Sequence, residues 1–337
     1  MTMKSTLRRL APLSILLTIL VTTLLVTSQA FASPEQEKAS FIEEMTAKHG
    51  FDAETLSSTL GQAEIKQSIL DAIARPAEKR LTWTKYRNIF IKPARISGGV
   101  DFIKANKKAL DDAHDKYGVP PEIITAIIGV ETLYGKHTGG YRVLDALTTL
   151  GFHYPPRSKF FRSELSNFLQ LTRDEGINPT EPTGSYAGAM GKPQFIPSSY
   201  RHYAIDFDND GKRDIWNNNV DVIGSVANYF SRHGWRKDHP VTVQAKKVTP
   251  ESHDNFINAG MKPSIMLGKL DDAGIEYQGD FNSAQNVSLV ELKLDQGEEY
   301  WIGMHNFYVI TRYNHSNMYA MAVYQLSQEI RKAMEKS

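Results

Sequence analysis

The chain has 337 residues, 41% hydrophobic and 23% charged, which excludes a disordered protein and predicts a globular protein of about two domains. Lysine and arginine total 39 against 38 acidic residues, so the formal charge of +1 gives no electrostatic drive toward nucleic acid. Cysteine is absent, which excludes disulfides, cysteine nucleophiles, zinc–thiolate and iron–sulfur centres, and a lipid carried on cysteine.

Residues 1–32 have the three parts of a secretory signal peptide. A basic start is followed by an apolar run from Leu10 to about Val26 and by the small residues Ala30 and Ala32. We expect cleavage after Ala32 and export to the periplasm, as a protein that is not a lipoprotein. The alternative is an uncleaved anchor, because the apolar run is long for a signal peptide and short for a membrane span.

Two helical units are predicted in the next part of the chain, which we expect to form a helical N-terminal domain over residues 33–118. The first unit runs from Phe41 to about Leu70, after a polar tail at residues 33–40. The second runs from about Gly99 to Tyr117, with charged residues on one side and apolar residues on the other.

The following helix is apolar nearly all round, as buried helices are, with Pro121 at its start and Gly135 as its predicted stop. Glu131 lies at its C-terminal end, where burial and the partial negative charge of the helix terminus both disfavour a charged carboxylate. A carboxyl group so placed is expected to hold its proton near neutral pH, as a general acid must. The alternative is a glutamate on a solvated helix edge, paired with Lys136 or Arg142.

An acidic segment after the middle of the chain begins as an EF-hand loop does. Acids occupy positions 1, 3, 5 and 9 of the loop and glycine occupies position 6: Asp206, Asp208, Asp210, Asp214 and Gly211. Position 7 offers the backbone carbonyl of Lys212, whereas position 12 is Asn217 instead of the usual glutamate. This pattern predicts a structural Ca²⁺ site, and a solvated Asp/Asn/Gly turn is the alternative.

The second half of the chain changes from a helical to a strand-like pattern. Helices are predicted at about 160–172 and 221–233, on either side of a segment rich in small residues at 184–191. Three short apolar runs then predict the strands of a small β subdomain: 241–243, 288–292 and 307–311. The chain closes with a helix whose apolar stripe is typical of core packing.

Six motifs carry a resemblance to a known family. They are the segments 129–135, 141–150, 154–157, 184–191, 194–200 and 224–230. In sequence, order and spacing they are similar to the membrane-bound lytic murein transglycosylase B family, which is glycoside hydrolase family 103. The resemblance implies a mainly α (α+β) fold, with a lysozyme-like α core between a helical N-terminal domain and a small β subdomain.

The domain boundaries expected from the pattern and the resemblance together are as follows. Residues 1–32 are the signal peptide, 33–118 the helical N-terminal domain, 119–236 the lysozyme-like catalytic core with its EF-hand-like loop, 237–312 the small β subdomain, and 313–337 a C-terminal segment and helix returning to the core. The family's loop is closed by a later aspartate, for which Asp221 is the candidate in this chain.

The resemblance also implies roles for individual residues in the cleft. Glu131 matches the single acid/base, while Ser185 and Gln194 match polar groups that hydrogen-bond the sugar at the cleavage point. Cleft residues matched beside them are Tyr86, Phe195, Tyr229, Tyr313, Asn314 and Tyr319. Aromatic rings suit the C–H faces of sugars, although core packing is the alternative for each ring taken alone. Lys192-Pro193 departs from the small and aromatic residues usual in the family, which leaves the local loop shape and sugar preference open.

The implied reaction is cleavage between N-acetylmuramic acid and N-acetylglucosamine in peptidoglycan glycan strands. Glu131 would protonate the bridging oxygen and then act as base toward the C6 hydroxyl of the same muramic acid, which closes a 1,6-anhydro ring without water. The nearest acids, Asp145 and Glu164, show no sign of facing it. The alternatives are a hydrolytic muramidase and a non-catalytic peptidoglycan-binding scaffold. Other cell-wall enzymes are candidate partners, and no organic cofactor or nucleic acid is expected.

Overall fold

The computed structural model describes residues 33–74 and 81–336, so the predicted signal peptide lies outside the described residues. Within those two ranges, every helix is too short or too polar to cross a membrane. The described residues form fifteen α-helices and seven short strands, which confirms the predicted mainly α fold.

The helices and strands have the following bounds in chain order. The helices are α1 Pro34–His49, α2 Ala53–Gly61, α3 Gln67–Ile73, α4 Trp83–Phe90, α5 Pro93–Ala105, α6 Lys107–Tyr117, α7 Pro121–Thr132, α8 Val143–His153, α9 Ser158–Asp174, α10 Pro197–Tyr203, α11 Asn219–Arg232, α12 Pro250–Phe256, α13 Leu267–Asp272, α14 His305–Tyr313 and α15 Asn317–Met334. The strands are β1 Tyr141–Arg142, β2 Thr183–Gly184, β3 Thr242–Lys247, β4 Ile265–Met266, β5 Glu276–Tyr277, β6 Asn286–Lys293 and β7 Glu298–Gly303.

The start of α1 differs from the prediction, because the expected polar tail at 33–40 is helical. Ser33 and Gln36 form a capping box, in which the Ser33 hydroxyl accepts from the Gln36 amide and the Gln36 side chain accepts from the Ser33 amide. This arrangement satisfies N–H groups that a helix start leaves unpaired. Burial of Phe41 and Met45 then holds the helix against the core.

The second predicted helical unit, Gly99–Tyr117, is two helices in the structure. The break falls at Asn106, whose side-chain amide donates to the Phe102 carbonyl at 2.8 Å. Asparagine side chains compete in this way with the backbone bonds of a helix.

Helix α7 lies at the centre of the helical part and packs against α5, α6, α11 and α15. Its residues Ile124, Ile127 and Ile128 are completely buried, as its apolar composition predicted. Helix α15 returns from the end of the chain to pack along α4, α5 and α7. Helices from the first third and from the end of the described chain thereby meet around the helix that carries Glu131.

The β region is a five-stranded antiparallel sheet with the strand order β4-β6-β7-β3-β5. Strand β6 joins the sheet to the helices because its two faces enter different cores. Val287 and Leu289 pack into a small core beneath the sheet, whereas Val290 and Leu292 belong to the main core. A separate two-stranded pair, β1 with β2, lies in the helical part.

The predicted strand at 307–311 is wrong, because these residues form the middle of α14. Phe307, Val309 and Ile310 have high β propensity, but as a helix they are all completely buried in the main core. Tertiary packing therefore overrides the local preference. Strand β7, which pairs with both β6 and β3, was not predicted from the sequence.

Candidate active site

Glu131 and Tyr319 meet where the C-terminal end of α7 packs against the start of α15. The Tyr319 hydroxyl donates a hydrogen bond of 2.5 Å to Oε1 of Glu131. Glu131 is partly buried, and Tyr319 is 2% exposed. Burial, and then the charge of Glu131, raises the pKa of the Tyr319 hydroxyl well above its usual value, so this group stays protonated at neutral pH.

The backbone directly after Glu131 turns sharply. Helix α7 ends at Thr132, and Leu133, Tyr134 and Gly135 follow with φ values of 51°, 60° and 89°. The helix thus stops before the predicted Gly135, and two of the three left-handed residues carry side chains, which is an unfavourable conformation. The Thr132 hydroxyl supports the turn by accepting from the Gly135 amide at 3.0 Å.

Tyr134 anchors this turn in a slot lined by glycine. Its hydroxyl donates to the Arg95 carbonyl at 2.7 Å, and its ring stacks on Phe102 with 5.7 Å between ring centroids. A Cβ atom on Gly129 would lie 2.6 Å from the Tyr134 hydroxyl, so only glycine fits there. Contacts of Tyr134 with α5 and with Gly129 of α7 therefore hold the strained turn in place. They also fix the position of the helix end that carries Glu131.

Arg142, one of the two alternative partners of Glu131, and the possible second acids are engaged elsewhere. Arg142 binds Asp145 through two hydrogen bonds, of 2.8 and 2.9 Å. Asp145 also accepts from the Glu64 amide at 2.9 Å, and Glu164 accepts from the Ser198 amide at 2.9 Å. These contacts favour a site with one carboxylate at its centre.

Four of the five predicted cleft aromatics form a contiguous cluster next to Glu131, whereas the ring of Tyr86 packs against Trp83 and Phe90. Tyr313 lies nearly parallel to Tyr319, with 6.5 Å between ring centroids, and its hydroxyl donates to the Pro193 carbonyl at 2.6 Å. Tyr313 also contacts Tyr229 and Phe195, at 4.7 and 5.9 Å between ring centroids.

Most of the predicted cleft aromatics are buried, so their ring faces are not exposed for stacking against a sugar. The exposed fractions are 4% for Tyr86, 2% for Phe195, 6% for Tyr229 and 2% for Tyr319. The rings pack on one another and on the core, which removes the faces that a sugar would cover. Tyr313 and Asn314 are partly exposed, at the turn between α14 and α15.

The two predicted polar contacts lie on one loop beside the end of α7. The Ser185 hydroxyl accepts from the Ala187 and Ala189 amides, at 3.2 and 3.1 Å, which leaves its own hydrogen free to donate. Gln194 has φ 51°, and its amide nitrogen donates to the Thr138 and Gly191 carbonyls at 3.0 Å each. This fixes the orientation of the Gln194 side chain.

The acidic loop groups three of its predicted ligands. Carboxylate oxygens of Asp206, Asp208 and Asp210 all lie within 4.8 Å of one another. Asp206 accepts from the Asp210 and Gly211 amides, at 3.0 and 2.8 Å, which holds the loop in a tight turn. The amide of Lys212 donates to Asp210 at 2.9 Å. This set of hard oxygen ligands fits Ca²⁺.

Asp214 and Asp221, the other two acids predicted as ligands, bind backbone amides and lie outside that group. Asp221 is completely buried, and its two carboxylate oxygens accept from the Phe207 and Asp214 amides at 2.8 Å each. Asp214 accepts from the Trp216 amide at 2.8 Å. The Asp221 side chain thus closes the acidic loop by accepting hydrogen bonds from backbone amides of the loop.

The supports of the end of α7, which are Thr132, Tyr134 and Lys192, were not predicted from the sequence. Thr132 and Tyr134 lie within the motif around Glu131, but their partners are distant in sequence. Lys192 was visible only as a departure from the family pattern. Its carbonyl accepts from the Thr132 hydroxyl at 2.9 Å.

Several known proteins are similar to this chain over most of its length. A family model described as a transglycosylase SLT domain matches residues 33–328. The membrane-bound lytic murein transglycosylase B of Escherichia coli K12 is 44% identical over 299 residues, which cover 86% of this chain and 81% of that protein.

Solved structures of similar proteins share the fold. Soluble lytic transglycosylase SltB1 from Pseudomonas aeruginosa is 52% identical with a TM-score of 0.83, and the match covers 88% of this chain and 98% of SltB1. Escherichia coli lytic transglycosylase Slt35 in complex with calcium is 45% identical with a TM-score of 0.81, over 88% of this chain and 93% of Slt35.

Proposed function

The chain belongs to the transglycosylase SLT domain family and is a peptidoglycan lytic transglycosylase, and from this premise we propose that Glu131 is its single acid/base. Family membership confirms the resemblance inferred from the motifs, together with the lysozyme-like fold. The observation that supports the role of Glu131 is its hydrogen bond with the buried Tyr319 hydroxyl at the end of α7.

The proposed reaction uses one carboxyl group twice. Glu131 gives its proton to the oxygen between N-acetylmuramic acid and N-acetylglucosamine as the bond from C1 to that oxygen breaks. The resulting carboxylate then takes the proton of the C6 hydroxyl of the same muramic acid, and O6 bonds to C1. The nucleophile belongs to the substrate, so its proximity replaces a second protein carboxylate.

Tyr319 suits a residue that must serve both forms of Glu131. A phenol hydroxyl donates to a carboxylate and accepts from a carboxylic acid, so the same contact persists before and after proton transfer. Ser185 and Gln194 would hydrogen-bond the sugar at the cleavage point, and the partly exposed residues Tyr313 and Asn314 lie at the turn between α14 and α15.

Lysis of purified peptidoglycan sacculi tests this function against a non-catalytic scaffold. The mature protein is expected to release soluble muropeptides and to clear the suspension. A scaffold would co-sediment with the sacculi and release nothing, and that outcome would reject the proposed activity.

We also propose that the acidic loop binds Ca²⁺ through Asp206, Asp208 and Asp210, with the Lys212 carbonyl as a further ligand. The three clustered carboxylates support this, and a calcium complex of Slt35 exists. The ion is structural, because it would tie together a loop that leads into α11. Asp214 and Asp221 are assigned to the hydrogen bonds that close the loop.

Removal of calcium is expected to lower the thermal stability of the protein. Calcium at a hundredfold excess over its Kd stabilises a protein by about 2.7 kcal/mol, which corresponds to a shift of several degrees in Tm. Differential scanning calorimetry with EDTA and then with excess calcium measures this shift. Asp208→Asn should abolish it, whereas Asp101→Asn, an exposed acid on α5, should keep it. An unchanged Tm in EDTA would reject the site.

Export to the periplasm completes the proposal, since the substrate lies outside the inner membrane. The basic start, apolar run and small residues of 1–32 support a cleaved signal peptide. Mass spectrometry of the protein from the periplasmic fraction should give an N-terminus at Ser33. An intact N-terminus in the membrane fraction would support the anchor instead.

A further inference from the structure

One short segment, 190–194, joins the end of α7 to the chain that leaves the acidic loop. The Lys192 amide donates to the Ile215 carbonyl at 2.9 Å, directly after Asp214. The Lys192 carbonyl accepts from the Thr132 hydroxyl at 2.9 Å, directly after Glu131. A single residue therefore contacts both regions through its backbone.

The side chain of Lys192 makes the same connection a second time. Its aliphatic part covers Gly135, where an added Cβ would lie 2.9 Å from Lys192 Cε. Its ammonium group donates to Oδ1 of Asn219 at 2.5 Å and lies 3.4 Å from the Asn217 carbonyl oxygen. The side chain thus runs from the turn after Glu131 to the start of α11.

This connection has little room to relax. Gly191 has φ 65°, and a Cβ there would lie 2.6 Å from the Ile215 carbonyl oxygen, so the two backbones are in direct contact. The side-chain nitrogen Nδ2 of Asn219 donates to Asn106 Oδ1 at 3.1 Å. This contact orients the side-chain oxygen Oδ1 of Asn219 toward Lys192. A displacement of the segment at 215–219 would therefore move Lys192.

The position of that segment depends on closure of the acidic loop. Asp214 accepts from the amides of Trp216 and Asn217, at 2.8 Å each, and is itself held through its own amide by Asp221. The partners of Lys192 follow immediately, at Asn217 and Asn219. The two oxygens that bind the ammonium group therefore lie directly beside the hydrogen bonds that close the loop.

We propose that Lys192 is a positioning residue that couples the order of the calcium loop to the placement of Glu131. An apolar side chain at this position could not bind the two oxygens at Asn217 and Asn219. The inference rests on the proposed roles of Glu131 and of the calcium loop, and it adds that Lys192 connects the two.

Kinetics on soluble glycan strands test the positioning role. Lys192→Met keeps the aliphatic part and removes the ammonium group, and it is expected to lower kcat about tenfold with KM nearly unchanged, since a small misplacement of a catalytic group slows chemistry. Lys192→Arg should restore most of kcat. Lys262→Met, at an exposed lysine of the β region, is the matched control and should match the unmodified protein.

Hydrogen exchange read by mass spectrometry tests the coupling without using activity. In the unmodified protein, removal of calcium with EDTA should speed exchange both at 206–219 and at 132–138. In Lys192→Met, which keeps the backbone contacts but loses the ammonium group, the response at 132–138 should be much smaller while that at 206–219 is unchanged. Equal responses of 132–138 in both proteins, or in neither, would overturn the proposal, as would a kcat that Lys192→Met leaves unchanged.

Different results would reject the proposed function, the calcium site and the role of Lys192. An absence of lysis by the unmodified protein would reject the proposed function, whereas the exchange experiment would still show whether the two segments are linked. An absence of any response at 206–219 would reject the calcium site and, with it, the role of Lys192 in transmitting calcium binding.

Discussion

Replacement of Glu131 by glutamine is expected to stop glycan cleavage, with the rate falling by about 10³- to 10⁴-fold. Glutamine has nearly the same shape and still accepts a hydrogen bond from Tyr319, but it can neither give nor take the required proton. Both halves of the proposed reaction use this one group, so no other residue compensates. Release of soluble muropeptides from sacculi measures the effect.

The control for this variant lies on the same helix. Glu122→Gln changes the first turn of α7, at the opposite end from the turn that follows Glu131, and should leave the rate unchanged. Both variants should keep the circular dichroism of the unmodified protein and its binding to sacculi. Substantial lysis by Glu131→Gln would show that another group supplies the proton.

Replacement of Tyr319 by phenylalanine is expected to lower kcat by about 10- to 100-fold. The ring and its contact with Tyr313 remain, while the hydrogen bond to Glu131 is lost. A hydrogen bond to a charged group is worth about 1.5–3 kcal/mol, which sets this range. Because the pKa of Tyr319 lies well above its ordinary value, its hydroxyl is protonated throughout the neutral range and should contribute no titration there.

Tyr324→Phe provides the comparison, because Tyr324 lies on the same helix and contacts Trp301 on the sheet. It should change kcat little. If the two tyrosine variants had equal effects, the loss would reflect disturbance of α15 and would not support a specific contact with Glu131.

Helix α7 could be predicted from the sequence because its signals are local. Pro121 occupies the first turn, and the apolar residues that follow predicted a buried helix, as found. The helix of 221–233 was predicted within two residues of its observed bounds for the same reason. Glu131 stood out as the carboxyl group at the end of a buried element.

The contacts that complete the site could not be predicted in this way. Tyr319 is 188 residues from Glu131 in the chain, and its helical spacing is equally typical of core packing. The strand predicted at 307–311 failed because burial in the main core outweighed β propensity. Asp221 was predicted as the closing ligand from its place after the acidic loop. Its burial and its hydrogen bonds from two backbone amides depend on how the loop folds, so the sequence did not predict them.

The resemblance to the family supplied what local patterns could not. It predicted Ser185, Gln194 and the aromatic residues near Glu131; the structure places Tyr319 in contact with Glu131 and the loop of Gln194 beside the end of α7. It could not show that four of those rings are nearly fully buried, because burial depends on how neighbouring rings pack.

The end groups of the released muropeptides test the central claim most directly. Digestion of sacculi in heavy-oxygen water, followed by mass spectrometry, distinguishes internal attack by the C6 hydroxyl from attack by solvent. If Glu131 serves one substrate hydroxyl as described, the products carry 1,6-anhydro ends, are lighter by one water than reducing ends, and contain no solvent oxygen. Reducing ends that carry the heavy oxygen would contradict the account and identify a hydrolase.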